Sequence, residues 1–443
     1  MTDDVLLSLV IVIALWVAVA QVLKGRSPAG YWYVAGYPLT VIRMLWTWKR
    51  QVVQVGLVGD RRGTRVLIAG MAVQGQTLKP IIPNLRPGRP LRDGLLARVR
   101  LLPGQVPDEY AKQSEAIMHA WRMQAVRISS PRRGWVEIRV FHTDPLSGLV
   151  VRDASWPQRG EPSDAPSREM SLAVVVGVRE DARPWVIDLR QVPHWMIVGA
   201  TRSGKSTLIH SLVVALSVLP VALVGVDLKG GLELSVYGPR LSGLATTRKE
   251  AAGLLEAVLD LAFGRMDQCR LAGVQSIWQL PQVPPPVIVL VDEVAELYLQ
   301  GGGSDKVLRD QCAAALLRLA QLGAALGICL LICGQRIGSD LGAGATALRA
   351  QLGGRISHRV NDDETAKMCL GDVFPEAVEA VLLLTPADQG IAVTTDGMGG
   401  WVRARSALTS AQQAADVAKK NTAMTPALLG IARPYQVGGG DAT

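Results

Sequence analysis

The stretch that most constrains this chain is Gly199–Thr207, which reads GATRSGKST and fits the pattern G-x-x-x-x-G-K-[ST]. The apolar run WMIV precedes it and the run LIHSLVVALSVL follows it, which is the strand–loop–helix setting of a phosphate-binding loop. Gly199 and Gly204 let the backbone turn tightly, so that successive N–H groups face phosphate oxygens. A chance match in a chain with 45 glycines is the alternative, but the flanking elements disfavour it. The chain is therefore predicted to bind a nucleotide.

Two side chains of this loop have specific expected roles. Lys205 would place its charge between the β- and γ-phosphates, and the Ser206 hydroxyl would bind Mg²⁺. The helix that begins at the loop adds the partial positive charge of its N-terminus. The cofactors are therefore predicted to be ATP and Mg²⁺. The predicted nucleotide-binding residues are Gly199, Ala200, Thr201, Arg202, Ser203, Gly204, Lys205, Ser206 and Thr207.

A second motif, VIVLVDEVAEL at residues 287–297, ends a five-residue apolar run in two acids. A buried strand that ends in paired acids is the Walker B pattern. Asp292 would hold Mg²⁺, because a hard cation prefers oxygen ligands. Glu293 would orient and polarise the attacking water. The alternative, an acidic strand end that faces solvent, is less compatible with the phosphate-binding loop upstream.

Polar residues after the next apolar strand are further candidates. Gln335, in LLICGQRIGSD, would contact the γ-phosphate or the attacking water; an exposed polar loop is the alternative. Ring-shaped motors also need a positive residue from the neighbouring subunit near the γ-phosphate. Arg349, Arg355 and Arg359 are candidates for that role, although each is as easily a surface or DNA-facing arginine.

Apolar segments that alternate with helical ones from about residue 171 predict an α/β fold with a mostly parallel central sheet covered on both faces. Helices are expected at 204–217, 248–272, 305–325, 363–369 and 374–383. The predicted strands are LAVVVGV (172–178), WMIVGA (195–200), ALVGVDL (222–228), VIVLVDE (287–293), GICLLICG (327–334) and GRISHRV (354–360).

The N-terminus contains 19 residues without a charge, at positions 5–23, which is long enough for a membrane-spanning helix. Acids precede this stretch and basic residues follow it, so the ATPase domain is expected in the cytoplasm of a protein anchored in the cell membrane. A cleaved signal peptide is the alternative, but the acidic start argues against it. Residues 31–50 are expected to lie along the membrane surface, because Pro38 and Arg43 disfavour a second span. A two-pass arrangement stays open.

The remaining pattern divides the chain into segments. Strand, helix and strand between Leu95 and Phe141 predict a small α+β module, and the Pro- and Arg-rich run Pro80–Pro90 predicts a linker. The predicted segments are a transmembrane anchor (1–26), a juxtamembrane segment and linker (27–90), the small α+β module (91–154), the motor ATPase domain (155–408) and a C-terminal tail (409–443).

The composition limits the classes of binding partner that are expected for this chain. The net charge of +9 and the pI of about 9.5 favour an anionic partner, either nucleic acid or a lipid surface, although part of the excess belongs to the positive charge expected beside the membrane. The five cysteines form no C-x-x-C motif, which is typical of buried thiols in a reducing compartment. The five histidines show no metal-binding spacing.

Four stretches together resemble the FtsK/SpoIIIE family of DNA translocases: VPHWMIVGATRSGKS, VDLKGGLELSVYGP, VIVLVDEVAEL and CGQRIGSD. The resemblance covers about residues 170–405. It implies a RecA-like ATPase that assembles as a hexameric ring and moves double-stranded DNA. It also implies that Asp227 and Lys229 lie near the site, although Leu228 replaces the family proline, and that Arg355 occupies the position of a candidate finger arginine.

This chain has one expected span, almost no linker and no C-terminal winged-helix segment, which resembles the transfer proteins of actinomycete conjugative plasmids and integrative elements. The resemblance therefore predicts a membrane-anchored motor for double-stranded DNA in conjugation. The alternatives are a chromosome-segregation translocase, an ATPase like those of type VII secretion, and an ATP-dependent membrane regulator that is not a motor. A single phosphate-binding loop disfavours the secretion alternative, whose members usually carry several ATPase modules.

Overall fold

The chain forms two units, Met1–Gly148 and Leu149–Thr443. The computed structural model describes residues 2–59, 67–68, 71–72, 80–91, 93–152, 171–299, 302–338, 341–342, 344–371, 374–397, 399–428 and 431.

The first unit combines helices with a four-stranded antiparallel sheet of order β3-β4-β6-β5. Strands β1 and β2 pair separately as a short antiparallel hairpin. Its elements are α1 (Thr2–Arg26), α2 (Pro28–Tyr31), a π-helical stretch (Trp32–Gly36), α3 (Tyr37–Gln54), β1 (Leu67–Ile68), β2 (Met71–Ala72), β3 (Leu85–Pro90), β4 (Gly94–Arg100), α4 (Pro107–Ala111), α5 (Ser114–Trp121), β5 (Ala125–Ser129) and β6 (Trp135–Phe141).

The core of this unit begins earlier in the chain than the sequence predicts. Met44, Trp48 and Val52 recur every four residues on α3 and are buried with Trp121 of α5 and with the inward side chains of the sheet. The Trp48 indole donates a hydrogen bond to the carbonyl of Pro83, 2.8 Å away. Residues 27–90 are therefore not simply a membrane-surface segment and linker. The predicted linker instead contains β3, an edge strand, which is where a sheet tolerates proline.

The predicted membrane span falls on α1, and the chain is helical there. Among the residues that the structure describes, however, no helix is long and apolar enough to cross a membrane. The Trp16 indole donates a hydrogen bond to the carbonyl of Val34, 2.9 Å away, which ties α1 to the π-helical stretch that follows it.

The second unit is built on a ten-stranded sheet of order β11-β10-β12-β13-β9-β14-β15-β16-β7-β8. The strands from β11 to β14 run parallel, and the remaining pairings are antiparallel. Its strands are β7 (Ala173–Arg179), β8 (Pro184–Asp188), β9 (His194–Val198), β10 (Ala222–Val226), β11 (Leu241–Ala245), β12 (Val287–Val291), β13 (Ile328–Gly334), β14 (Gly354–His358), β15 (Ile391–Thr395) and β16 (Trp401–Ser406).

Helices cover both faces of this sheet, which explains why the parallel strands β10, β12 and β13 are apolar along their whole length. Helices α7 and α9 share one core cluster with the sheet, and α6 and α13 share the other. The helices are α6 (Lys205–Ser217), α7 (Arg248–Ala272), α8 (Val294–Tyr298), α9 (Ser304–Leu326), α10 (Ala345–Gln351), α11 (Asp363–Ala366), α12 (Pro375–Leu382) and α13 (Ala411–Lys420). Shorter 3₁₀ or π turns lie at Ser235–Arg240, Ile277–Gln279, Lys367–Gly371, Pro386–Asp388 and Thr422–Met424.

The predicted α/β class with a mostly parallel sheet is confirmed, and five of the six predicted strands lie in its parallel part. The sixth, at 172–178, is β7, which pairs antiparallel with its neighbours. The sequence reading missed β8, β11, β15 and β16. All four mix polar with apolar residues, so their local pattern is weaker than that of a fully apolar strand such as β12.

The C-terminal segment contributes a helix to the second unit. Helix α13 opens with a capping box between Ser410 and Gln413, and it buries Ala414 and Ala418 against the sheet side that carries α6. Thr425 donates a hydrogen bond to the carbonyl of Pro239, 3.2 Å away. The predicted tail, 409–443, therefore begins with a helix that belongs to the core of the second unit.

A buried guanidinium holds the far end of α6, the helix that begins at the phosphate-binding loop. Arg240 is fully buried and donates hydrogen bonds to the carbonyls of Ser217, Leu219 and Val221 at 2.8–3.1 Å. Burial lowers the pKa of this guanidinium to about 10, which leaves it charged at neutral pH. The last carbonyls of α6 thereby receive the donors that a helix end lacks.

Candidate functional site

The phosphate-binding loop connects β9 to α6, as the sequence predicts. Gly204 has φ of 111°, a conformation that residues with a side chain rarely adopt. A β-carbon at this position would lie 2.5 Å from the Cα and the nitrogen of Gly390. The Gly390 N–H donates to the Ser203 carbonyl at 2.9 Å. The loop is therefore held from behind by the segment that leads into β15.

The two acids follow β12 and meet the loop lysine. Because β13 lies between β12 and β9, the end of the acidic strand is close to the loop. The Lys205 Nζ is 3.1 Å from the Asp292 carbonyl, 4.0 Å from Asp292 Oδ1 and 3.9 Å from Glu293 Oε2. The Lys229 Nζ approaches the same Glu293 oxygen at 3.8 Å. Two cations and two carboxylates thus converge at the carboxyl ends of parallel strands.

Burial controls the charge of the first acid. Asp292 is only 3% exposed, and this burial raises the pKa of its carboxyl above the usual range, against the opposing effect of the Lys205 ammonium. A bound cation would favour the ionised form. Ser206 and Asp292 line the same cavity and offer the oxygen atoms that Mg²⁺ prefers, so this pair fits the predicted metal role.

The second acid is oriented by the neighbouring strand. Glu293 Oε1 accepts a hydrogen bond from the Gln335 backbone N–H at 3.3 Å. The other oxygen, Oε2, makes no hydrogen bond among the described residues and faces the two lysines. Glu293 is 8% exposed, and its Oε2 stays available for a small polar partner.

Lys205, Lys229 and Asp292 line a cavity of about 330 Å³, and Glu293 lies behind the two lysines rather than in the lining. The structure brings every predicted nucleotide-binding residue except Ser203 to its wall; Ser203 is 2% exposed and packs behind the loop. The lining residues are Gly199, Ala200, Thr201, Arg202, Gly204, Lys205, Ser206, Thr207, Lys229, Glu233, Asp292, Gln335 and Gln389.

Residue Asp227 is near this cavity but has a structural role in the fold. Its carboxylate is 1% exposed and accepts hydrogen bonds from the backbone N–H groups of Lys229, Glu233 and Leu234 at 2.8–3.2 Å. The turn after β10 is closed by these bonds. As a consequence, Lys229 lines the cavity. The family resemblance implied that this residue lies near the site.

The structure does not support Arg355 as a residue that reaches a neighbouring subunit. This arginine lies in β14, beside Met196 of β9, and is 6% exposed. Its guanidinium donates to the Arg349 carbonyl at 2.9 Å and contacts the Met196 sulfur at 3.6 Å. Strand alternation turns the side chain into the core. Arg359 is closer to the site, since it donates to the Thr201 carbonyl of its own loop at 3.4 Å.

Sequence reasoning missed two cavity residues. Glu233 follows the glycines of LKGGLEL, and Gln389 precedes the glycine that supports the loop. The first lies in VDLKGGLELSVYGP, so the family resemblance already places its acidic side chain near the site. The second lies in the turn before β15, far from any motif, and no local pattern indicated it.

The phosphate-binding loop lies between β9 and α6, and the acidic end of β12 is separated from β9 by one strand, β13. This arrangement defines a P-loop ATPase. The FtsK/SpoIIIE family model matches residues 158–279 and 275–339, and a model described as the actinomycete conjugal transfer protein N-terminal domain matches residues 18–142. The chain belongs to the FtsK/SpoIIIE family, which confirms the predicted resemblance, and it is an ATPase.

Individual relatives agree with this assignment. The chain is 40% identical over 363 residues to the transfer protein TraSA of Streptomyces ambofaciens, covering 79% of this chain and 85% of the relative. It is 26% identical over 263 residues to the DNA translocase FtsK of Helicobacter pylori strain J99, covering 56% of this chain but 29% of that longer protein. Among solved structures, the pCW3 conjugation coupling protein TcpA, in monomer form with ATPγS, has a TM-score of 0.51 at 18% identity, covering 84% of this chain and 98% of that one. This last similarity concerns the fold alone.

Proposed function

We propose that this chain is a RecA-like, ATP-driven motor that translocates double-stranded DNA during conjugative transfer. The observation that carries the proposal is the convergence of Lys205, Lys229 and Asp292 on one cavity beside the phosphate-binding loop, with Glu293 within 4 Å of both lysines. The relative TraSA is named as a transfer protein and the relative FtsK as a DNA translocase, which supports the choice of DNA as the substrate.

The loop and its helix would bind the triphosphate. Backbone N–H groups of the loop and the N-terminus of α6 attract the phosphate oxygens, and Lys205 adds a full positive charge. Ser206 and Asp292 would hold Mg²⁺, which when bound neutralises phosphate charge. Removing Lys205 takes away an ammonium that lies within 4.0 Å of both acids.

Hydrolysis would depend on the second acid. Glu293 keeps one oxygen free of hydrogen bonds among the described residues, so it can accept a proton-bearing partner such as a water molecule. Lys229 and the Gln335 backbone hold the two carboxylate oxygens from opposite sides. We assign Glu293 as the residue that orients and polarises the attacking water, and the Gln335 side chain as its neighbour on the γ-phosphate side.

Duplex-stimulated ATP hydrolysis by the purified full chain tests this function. The wild type should hydrolyse ATP faster when duplex DNA is added, and Lys205→Ala should lose hydrolysis while its thermal unfolding stays that of a folded protein. Arg270→Ala, an exposed arginine on α7, serves as the matched control and should behave like the wild type. Hydrolysis that ignores DNA would refute the motor, and full turnover by Lys205→Ala would refute the site.

Assembly and location complete the proposal. The motor would act as a homohexameric ring, anchored in the cell membrane through its N-terminal segment with the ATPase domain in the cytoplasm. The apolar, uncharged residues 5–23 and the basic residues that follow support the anchor and its orientation. Particle mass measured with a nonhydrolysable ATP analogue tests the ring. Fractionation of cells that express the full chain, or the chain from residue 27, tests the anchor: equal recovery of both in the soluble fraction would refute it.

A further inference from the structure

The outer face of the four-stranded sheet in the first unit carries a concave, strongly basic groove of about 660 Å³. Four arginines line it and one glutamate opposes them: Arg86, Arg89, Arg98, Arg132 and Glu137. The opposite face of the same sheet is buried against α3 and α5. The charge is therefore concentrated on the face that the fold leaves open.

Two of these arginines stand directly opposite each other. Arg86 of β3 and Arg98 of β4 are cross-strand partners, so their β-carbons are about 5 Å apart on one face. Like charges in this arrangement destabilise a sheet. Glu137 of β6 is the cross-strand partner of Arg98. It offsets part of the repulsion, because its Oε1 lies 2.9 Å from the Arg98 Nε. The Arg98 side chain is nevertheless 59% exposed, and the groove keeps an excess of positive charge.

The wall of the groove is rigid. Gly88 approaches β4 so closely that a β-carbon would overlap the carbonyl oxygen of Leu96. The Gly88 carbonyl accepts a hydrogen bond from the Tyr37 hydroxyl at 2.9 Å, and the Leu91 carbonyl accepts one from the Trp32 indole at 2.8 Å. The arginines on β3 are therefore presented by a strand whose position is fixed from the core, which lowers the entropic cost of binding.

We propose that this arginine groove binds the phosphate backbone of the DNA substrate, as a contact separate from the ATPase unit. Guanidinium groups match phosphate oxygens in a bidentate geometry, and the cationic side chains of the groove are all arginine. An anionic lipid surface fits less well. The aromatic side chain in the groove, Trp135, is partly buried with the Arg86 guanidinium 5.9 Å from its ring centre, and so it does not project toward a membrane. The inference rests on the proposed function for the identity of the ligand.

Binding of a labelled duplex by the full chain in a non-ionic detergent, measured by fluorescence anisotropy over a range of salt, tests the groove. Arg86→Gln/Arg98→Gln should weaken binding about tenfold or more, and should reduce the slope of log K against log[salt] by about two. Arg50→Gln/Lys112→Gln removes the same charge from exposed positions elsewhere in the unit and should leave both quantities unchanged. Basal ATP hydrolysis should be equal in all three proteins.

The outcomes separate the groove from the motor. If the wild type binds duplex DNA and the groove variant binds it with the same affinity and salt slope, the groove proposal is overturned while the motor stands. If the groove variant loses binding to vesicles of phosphatidylglycerol and phosphatidylethanolamine but keeps its affinity for DNA, the ligand is the membrane and the proposal also fails. If the wild type binds no duplex at all, the proposed function itself is wrong. Arg86→Lys/Arg98→Lys should retain the salt slope, since it keeps the charge.

Discussion

Replacing Gly204 with alanine should damage the nucleotide site through a steric effect that can be isolated. A residue with a side chain costs about 1–2 kcal/mol in a left-handed conformation. The new β-carbon would also lie 2.5 Å from the backbone of Gly390, closer than such atoms approach in folded proteins. Overpacking of this kind typically costs about 1–3 kcal/mol. The sum, roughly 2–5 kcal/mol, is a large part of the stability of a domain but does not exceed it.

The consequence should reach the nucleotide because the two strained segments share hydrogen bonds. The Gly390 N–H donates to the Ser203 carbonyl, and the Gly390 carbonyl accepts from the Ser406 N–H, each at 2.9 Å. Either the loop or the support behind it must move to admit the methyl group. Gly204→Ala should therefore unfold roughly 5–15 °C lower than the wild type and bind a fluorescent ATP analogue much more weakly.

Two glycine variants serve as controls. Gly390→Ala also has a positive φ, 87°, but its β-carbon would find no atom closer than 3.5 Å, so it should lose only about 1–2 kcal/mol. Gly253→Ala lies within α7 in open space and should gain about 0.5–1 kcal/mol. The reasoning is refuted if Gly204→Ala keeps wild-type ATP affinity and melting temperature, or if Gly390→Ala is destabilised as much as Gly204→Ala.

Four further predictions concern other residues of the second unit. Glu293→Gln should bind ATP normally but hydrolyse it orders of magnitude more slowly; weak ATP binding with intact turnover would make this residue structural. Arg355→Gln should lower the melting temperature. Mixing the variant with wild-type subunits should not restore its ATP hydrolysis, whereas it would do so if Arg355 acted on the nucleotide of a neighbouring subunit. Ala414→Asp should destabilise the second unit by several kcal/mol, whereas Ala411→Asp, at an exposed position of the same helix, should change thermal unfolding little. Burial lowers the pKa of His194 to about 4, so its contribution to stability is present above about pH 6.5 and is lost as the pH falls toward 4; the wild type should lose about 2 kcal/mol more than His194→Gln between pH 7 and 5.

The motifs that meet at the cavity could be recognised from the sequence because they are local. A phosphate-binding loop, an acidic strand end and a polar strand end are each readable within about ten residues, and the apolar strands carry them to one edge of the sheet. Parallel neighbours bring their carboxyl ends together, so the order of the motifs in the chain was enough to predict that Lys205, Asp292 and Gln335 would share a cavity.

The parts that the sequence did not predict depend on pairing over long distances. Strand β16, WVRARS, forms a hairpin with β15, which is near in the chain, but its place in the sheet follows from pairing with β7, which is far away in the chain. The support that Gly390 gives to the loop has the same origin. Arg355 shows the limit of a motif match: the family resemblance implied a finger role, but the register of β14 on β9 turns this side chain into the core.

The turn after β10 was indicated by the family resemblance, but the roles of its residues follow only from the structure. The family resemblance placed Asp227 and Lys229 near the nucleotide but gave them no separate roles. In the structure the Asp227 carboxylate receives three backbone N–H groups, and the same turn presents Lys229 and Glu233 to the cavity. Replacing Leu228 with the family proline would leave these bonds intact, since the Leu228 N–H donates none of them. Asp227 is thus a positioning residue, and the Lys229 contact with Glu293 at 3.8 Å depends on a buried carboxylate that does not itself line the cavity.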